Sequence, residues 1–222
     1  MKKQSLHGTP GAGTRDMVQV ALFAALIVAL AFLPFIGYIP LGFTKATTIH
    51  IPVIIGSILL GPQKGAVLGG VFGLTSLINN TLYPTATSFV FSPFYSAGAF
   101  KGGWASLIIC FVPRILVGVT PWLVWHLLEP RLGKSRTGRL FSLGLAGFVG
   151  ALTNTLLVMN GIFLFFGDAW AAAQDKAGQF VYGLILGVIG INGVPEALVA
   201  AVLTAFVASA LLRAGVNGPA KR

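Results

Sequence analysis

The amino-acid sequence predicts an all-α membrane protein with six transmembrane helices and both termini in the cytoplasm. Of its 222 residues, 55% are hydrophobic and only 9% are charged, and the mean hydropathy is +0.87. Soluble domains of this size do not have that balance. Apolar stretches also recur at lengths near the roughly 20 residues that a spanning helix needs. Basic residues gather in alternate connections between these stretches, which is the pattern of the positive-inside rule.

Six apolar stretches are the predicted spans: residues 17–37, 49–60, 66–78, 104–128, 141–166 and 180–212. The second and third are short, so we expect them to borrow flanking residues or to be thin or tilted. The last stretch is too long for one simple crossing at about 1.5 Å per residue. Pro195 and Glu196 suit the first turn of a helix, so we expect the sixth span to begin near Val194, after a helical or re-entrant piece on the outer side.

The chain is expected to form one membrane domain, residues 17–213, between cytoplasmic tails at residues 1–16 and 214–222. Its net charge of +10 is explained by topology rather than by nucleic-acid binding. The basic residues predicted to lie on the cytoplasmic side are Lys2, Lys3, Arg15, Lys64, Arg131, Lys134, Arg136, Arg139, Arg213, Lys221 and Arg222. The outer connections hold Lys45, Lys101 and Lys176. This asymmetry predicts a multi-pass protein of the plasma membrane.

Catalytic motifs do not stand out in the sequence. It has no His, Glu and Cys spacing typical of a metal site, no assignable Ser–His–Asp set and no phosphate-binding loop. Its one cysteine, Cys110, lies in an apolar run and excludes an internal disulfide. We therefore predict no catalytic residue, no metal and no cofactor, and any active transport would need partners that bind ATP. A membrane-embedded enzyme or assembly protein, the rival class, would need paired ionisable groups facing one cavity, for which only Arg114 and Glu196 are available.

Arg114 is the strongest candidate for ligand binding. An arginine inside a span costs at least ~2.5–3.5 kcal/mol, so it marks a functional site by default. A ligand carboxylate would match the planar guanidinium through a bidentate contact. An internal ion pair with Glu196 and snorkelling to a membrane interface are the alternatives.

Further ligand-binding candidates lie near the outer ends of the predicted spans or in residues 79–103, a long connection that alternates hydroxyl and aromatic side chains. They are Asn79, Asn80, Asn160, Glu196, His50, Phe91 and Trp104. Asparagine amides suit the hydroxyl and amide groups of a ligand, and the aromatic rings could stack on one. Structural alternatives are hydrogen bonds between helices for the asparagines, a helix-start role for His50 and an aromatic belt for Trp104. The other tryptophans, Trp122, Trp125 and Trp170, also fit such a belt at the two membrane surfaces.

Three alanines at four-residue spacing, Ala21, Ala25 and Ala29, lie on one face of the first predicted span. In a bilayer such a smooth face gains most by close approach of another helix. It is therefore a predicted partner-docking surface, with packing inside the bundle as the alternative.

Three sequence features together resemble a known family. They are the alanine stripe, the run Thr-Thr-Ile-His-Ile-Pro-Val-Ile-Ile-Gly at 47–56 followed by Leu-Gly-Pro-Gln-Lys-Gly-Ala at 60–66, and Pro-Arg-Ile-Leu-Val-Gly at 113–118. They are similar to the substrate-binding S component of energy-coupling factor (ECF) vitamin transporters of the bacterial cell membrane. The resemblance implies six membrane helices, a vitamin site near the outer surface capped by outer loops, and an S component that topples in the membrane. It also implies a transmembrane coupling protein and two ATPase subunits as partners, with the alanines as docking face.

Among that family's substrates, the 47–50 run and the 79–93 loop most resemble the pantothenate-specific members. The carboxylate of pantothenate would match Arg114 or Lys101, and its hydroxyl and amide groups would match the asparagines. Riboflavin is the alternative, because Phe91, Tyr95 and Trp104 could stack on its ring system.

Overall fold

The computed structural model describes residues 12–33, 37–40, 45–98, 100–176 and 178–215. Within these residues the chain is almost entirely helical, with two short antiparallel hairpins. The helices are α1 (Ala12–Phe32), α2 (His50–Leu60), α3 (Pro62–Leu82), α4 (Trp104–Val117), α5 (Thr120–Leu132), α6 (Arg136–Ala172), α7 (Val181–Val188) and α8 (Val194–Arg213). The hairpins pair β1 (Tyr38–Pro40) with β2 (Lys45–Thr47) and β3 (Ser96–Ala97) with β4 (Phe100–Lys101). A 3₁₀ turn covers Ser88–Val90, and a π-helical turn covers Ile189–Gly193.

Five helical segments of the described chain are long and apolar enough to cross a membrane. They are Gly13–Phe32, Pro62–Leu82, Trp104–Leu132, Arg136–Ala172 and Val181–Arg213. The remaining helix, α2, has 11 residues, so it is about 16 Å long against a hydrocarbon core of about 30 Å. Five of the six expected spans therefore have the required length, and the second does not.

Helix α2 is instead the centre of the bundle. All 11 of its residues are buried, and it packs against α1, α3, α6 and α8. A helix that is apolar on every face is stable only when every face is covered. The short, uniformly apolar stretch is thus a short helix that returns the chain from the β1–β2 hairpin to the start of α3 inside the protein, shielded from lipid by its neighbours.

Several predicted boundaries are wrong because hydropathy marks contact with lipid, whereas a helix continues as long as its backbone hydrogen bonds do. Helix α1 covers Ala12–Phe32 rather than residues 17–37. Helix α3 extends four residues beyond the third apolar stretch at each end, as expected for a short stretch that borrows flanking residues. The fourth stretch is divided between α4 and α5 at Gly118 and Val119. The last stretch is one helical segment, Val181–Arg213, and a π-helical turn at Ile189–Gly193 lies where the sequence suggested an interruption, so that α8 begins at Val194.

The start of α1 and the residues that follow α8 meet at one end of the bundle, which we call the terminal end. Arg15 Nη2 donates to the Gly215 carbonyl at 2.8 Å. Lys64, at the start of α3, forms an ion pair with Asp16, at the start of α1. Because α1 and α3 begin together, the hairpins that follow each of them lie at the opposite end, the hairpin end. Of the expected tails, residues 1–16 and 214–222, the segments 1–11 and 216–222 lie outside the described residues, and residues 12–16 form the start of α1.

Candidate ligand-binding site

A cavity of about 840 Å³, counting its open mouth, lies in the half of the bundle nearer the hairpin end. Its lining is contributed by β2, α3, the α3–α4 connection, α4, α6, α7, the π-helical turn and α8. The lining residues are Thr47, Ser76, Asn80, Thr85, Thr87, Phe91, Arg114, Asn154, Thr155, Val158, Met159, Ile162, Trp170, Val188, Asn192, Gly193 and Glu196.

Arg114 provides the positive charge of this cavity. Its residue is only 5% exposed, and its Nη1 donates to the Ile109 carbonyl at 2.6 Å. The ring centroids of Phe72 and Phe91 lie 5.6 and 5.1 Å from its Cζ atom. Both distances allow cation–π attraction, which is strongest where water is excluded. The guanidinium is therefore held in place by one carbonyl and two aromatic rings at the wall of the cavity.

Glu196, in the first turn of α8, is the acidic residue of the same lining. Its Oε1 accepts a hydrogen bond from the Thr47 backbone N–H at 3.3 Å. This bond connects the β1–β2 hairpin to the start of α8. The preceding π-helical turn places Asn192 and Gly193 at the cavity, and such turns are frequent at functional sites. An ideal Cβ on Gly193 would lie 2.5 Å from Thr155 Cγ2, so any larger residue would force Thr155 of α6 to shift.

One wall of the cavity is polar and is formed by α3 and the connection that follows it. Asn80 Nδ2 donates to the Ser76 carbonyl at 2.9 Å, and Asn80 Oδ1 accepts from Ser88 Oγ at 2.9 Å. Ser88 Oγ in turn accepts from the Thr85 N–H at 2.9 Å. These bonds hold the α3–α4 connection against the end of α3, which places Thr85 and Thr87 in the lining.

The α3–α4 connection is also anchored by aromatic packing. Phe89 is fully buried, and its ring centroid lies 5.7 Å from that of Phe100 and 5.8 Å from that of Phe166. The Phe89 carbonyl accepts a hydrogen bond from Ser106 Oγ at 2.7 Å. The connection is therefore packed against the hairpin end of the bundle.

The wall contributed by α6 is mostly apolar, with one polar group. Val158, Met159 and Ile162 line the cavity together with Asn154, which is 7% exposed. Asn154 Oδ1 is buried and has no hydrogen-bond partner among the described residues. Phe166 has non-helical angles of φ −138° and ψ 16°, and beyond this kink the last turns of α6 bring Trp170 to the lining.

Four of the eight predicted ligand-binding residues line the cavity: Arg114, Asn80, Glu196 and Phe91. The structure brings the other four to different places. Asn79 Nδ2 donates to the Ala31 carbonyl of α1 at 3.2 Å, and His50 is buried at the start of α2. Asn160 is exposed and donates to the Leu156 carbonyl of its own helix, and Trp104 is 69% exposed with its ring against Phe165.

Several lining residues were not among the predicted site residues. The sequence could have identified Asn154 and Asn192 as ligand-binding candidates, since each is a polar residue in or beside an apolar run. Trp170 suggested an interfacial belt from sequence, yet it is 3% exposed in the cavity wall. No local pattern distinguishes it from an interfacial tryptophan, because its burial depends on the kink at Phe166.

The three alanines of α1 lie on the outer surface of the described bundle. Ala21, Ala25 and Ala29 are all exposed, whereas the opposite face of α1 buries Ile27 and Ala31. The stripe is therefore outside the packed interior, and its role in docking stays a prediction.

The sequence model of the family described as "ECF transporter, substrate-specific component" matches residues 15–208. This chain belongs to that family. The S component is 39% identical over 206 residues to the "Pantothenic acid transporter PanT" of Lactococcus lactis subsp. cremoris strain MG1363, covering 91% of this chain and 96% of that protein. It is 28% identical over 218 residues to the "Pantothenate transporter PanT" of Leuconostoc mesenteroides subsp. mesenteroides, covering 92% and 98%.

A third relative matches only part of the S component. The "Biotin transporter BioY" of Rhizobium etli is 45% identical over 56 residues, which cover 24% of this chain and 28% of that protein. Family membership and the five apolar helical segments make the S component a multi-pass protein of the bacterial plasma membrane. It is a transporter subunit, and the rival class of a membrane-embedded enzyme is not supported.

Proposed function

We propose that the S component binds pantothenate with high affinity and delivers it through an ECF importer. In this proposal α2 and the five long segments form the six-helix membrane domain, with both termini in the cytoplasm. A transmembrane coupling protein and two ATPase subunits supply the energy, so the S component itself has no catalytic residue. The two PanT relatives, which match more than nine-tenths of the chain, support the substrate.

The buried Arg114 at the cavity wall is the observation that carries this proposal. Pantothenate has one carboxylate, one amide, two hydroxyl groups and a pair of methyl groups on one carbon. A carboxylate at Arg114 would compensate the desolvated guanidinium, and such charge-assisted bonds are among the strongest polar contacts in proteins. The apolar side chains of Val158, Met159 and Ile162 suit the methyl groups, and Asn154 suits the amide.

The charges of the cavity also orient the ligand. A carboxylate placed beside Glu196 would be repelled, whereas a hydroxyl group can donate to that side chain. We therefore place the carboxylate of pantothenate at Arg114 and its hydroxyl end towards Glu196 and Asn192. The Thr47–Glu196 hydrogen bond then puts the β1–β2 hairpin next to the hydroxyl end.

Riboflavin, the second candidate, is less well supported. Of the three aromatic residues that suggested stacking, Trp104 and Tyr95 do not line the cavity, and Phe91 lies against Arg114. Riboflavin also has no carboxylate for the guanidinium. A site for a large flat ring would need aromatic faces that the lining does not offer.

Calorimetric titration of the purified chain tests the substrate. We expect pantothenate to bind with a Kd below about 1 μM, and its alcohol analogue pantothenol to bind about 100-fold more weakly. Pantothenol keeps every group except the carboxylate, so the difference isolates the anionic contact. Tighter binding of riboflavin, or equal binding of the acid and the alcohol, would overturn the proposal.

Arg114→Ala tests the residue. We expect the Kd of pantothenate to rise about 100-fold, because loss of a charge-assisted contact of about 2.7 kcal/mol has that effect. The Kd of pantothenol should stay nearly unchanged. Arg139→Ala is the control, since Arg139 pairs with Glu129 at 3.2 Å and does not line the cavity. Equal losses for both ligands would show that Arg114 is structural.

A further inference from the structure

Helix α4 contains a proline immediately before the cavity arginine. Pro113 is buried in the interior of the helix, about two and a half turns from its start at Trp104. Proline has no backbone N–H, so the carbonyl four residues earlier loses its helical donor. In α4 that carbonyl belongs to Ile109, and Arg114 Nη1 donates to it at 2.6 Å.

The proline and the arginine therefore complement each other. A buried carbonyl without a donor is unfavourable, and a guanidinium is a strong, charge-assisted donor that can supply the missing bond. If residue 113 had an N–H, that group would compete with Arg114 for the Ile109 carbonyl. The sequence Pro113-Arg114 thus creates the acceptor and places the donor next to it.

The resulting bond orients the side chain at the cavity. One nitrogen of the guanidinium is fixed on Ile109, and the rings of Phe72 and Phe91 flank the group at 5.6 and 5.1 Å. The guanidinium is a rigid planar fork, so fixing one nitrogen also fixes the direction of the others. Arg114 lines the cavity in this orientation.

We propose that Pro113 is a positioning residue for ligand selectivity: by removing the helical donor to Ile109, it holds the Arg114 guanidinium in the orientation that favours a carboxylate-bearing ligand. This inference rests on the proposed function, because the carboxylate in question is that of pantothenate. Pro113 itself acts through Arg114.

Pro113→Ala restores the backbone N–H and tests the inference. We expect the Kd of pantothenate to rise about tenfold, the scale of one charge-assisted hydrogen bond, and that of pantothenol to change less than about twofold. The readout is the ratio of the two dissociation constants by calorimetric titration. A merely structural role would weaken both ligands alike and leave the ratio unchanged.

Pro130→Ala is a matched control. Pro130 also lies inside a helix and is also followed by an arginine, Arg131, but both are exposed and neither lines the cavity. We expect both dissociation constants to stay at their wild-type values. Pro113→Val restores the same N–H and fills more of the space left by the ring, so it replaces Pro113→Ala if that variant folds poorly.

The two proposals fail in different ways. If the wild-type chain does not prefer pantothenate to pantothenol, the proposed function and this inference are both overturned. If the wild type does prefer pantothenate but both Pro113 variants keep its ratio, only the positioning role is overturned.

The double mutant provides a second test. In an Arg114→Ala background Pro113→Ala should change the Kd of pantothenate less than about twofold, because the group that Pro113 positions is absent. A further tenfold loss there would contradict the inference.

Discussion

Two stripes of small residues, each at four-residue spacing, have opposite surroundings in this protein. Gly65, Gly69 and Gly73 of α3 are buried against α4, whereas the three alanines of α1 are exposed. An ideal Cβ on Gly69 would lie 2.2 Å from the Arg114 carbonyl oxygen, and one on Gly65 would lie 1.9 Å from that of Gly118. The same sequence pattern thus marks an internal helix contact in α3 and a bare outer face in α1.

The difference shows what a small-residue stripe specifies. It permits the close approach of another backbone, because little or no side chain stands between the helices. It does not specify whether that backbone belongs to the same chain. In α3 the stripe contacts the peptide of Arg114 itself, so helix packing and the position of the cavity arginine are coupled.

The largest expected effect is on the exposed stripe. We expect Ala25→Phe to reduce pantothenate uptake by cells to background while the isolated chain keeps its affinity, because a large ring would prevent a partner helix from approaching. Uptake of labelled pantothenate and calorimetric titration are the two measurements. Leu26→Phe is the control, because Leu26 is 46% exposed but lies about 100° around the helix from Ala25. If the isolated Ala25→Phe variant lost its affinity for pantothenate, the stripe of α1 would affect the packed interior as the stripe of α3 does, and the contrast between the two would not hold.

A smaller effect is expected on the buried stripe. Gly69→Ala should lower the free energy of unfolding by about 1–3 kcal/mol, since the added methyl group forces α3 and α4 apart. It should also raise the Kd of pantothenate more than that of pantothenol, because Arg114 moves with α4. Thermal unfolding in detergent and titration with both ligands are the measurements.

Gly70→Ala provides the control for Gly69→Ala. An ideal Cβ on Gly70 meets no atom within 4 Å, so the methyl group should be tolerated and both ligands should bind as in the wild type. Alanine has the higher helix propensity, so without a clash Gly70→Ala should not destabilise α3. A loss of stability at Gly70 equal to that at Gly69 would contradict the role given to the α4 contact.

The smallest effect concerns two asparagines of α6. Asn154→Ala should raise the Kd of pantothenate about fivefold, because one neutral hydrogen bond of about 1 kcal/mol is lost. Asn160→Ala, six residues along the same helix, should leave titration curves unchanged because Asn160 is exposed outside the cavity. Similar losses of affinity in both variants would show that the ligand site extends beyond the cavity to the exposed face of α6.

Sequence reasoning identified the cavity charges because they are rare. Arg114 and Glu196 are costly in an apolar segment, so each had to have a partner or a function. Asparagines were harder to assign: Asn80 lines the cavity while its neighbour Asn79 bonds to α1. Adjacent residues of a helix differ by about 100° in direction, and only the positions of the neighbouring helices decide which one meets the ligand.

The membrane class, a helix beginning near Val194, the long connection after α3 and the family resemblance, which the family match confirms, could be predicted from the amino-acid sequence alone. These depend on composition, on local backbone preferences and on motifs within short segments. The tertiary structure decided that α2 is buried rather than a full-length span, that Trp170 faces the cavity, and that Arg114 is held by the carbonyl which Pro113 leaves without a helical donor. Each of these depends on how separate segments pack, since burial and the alignment of a guanidinium with two aromatic rings are properties of the assembled bundle.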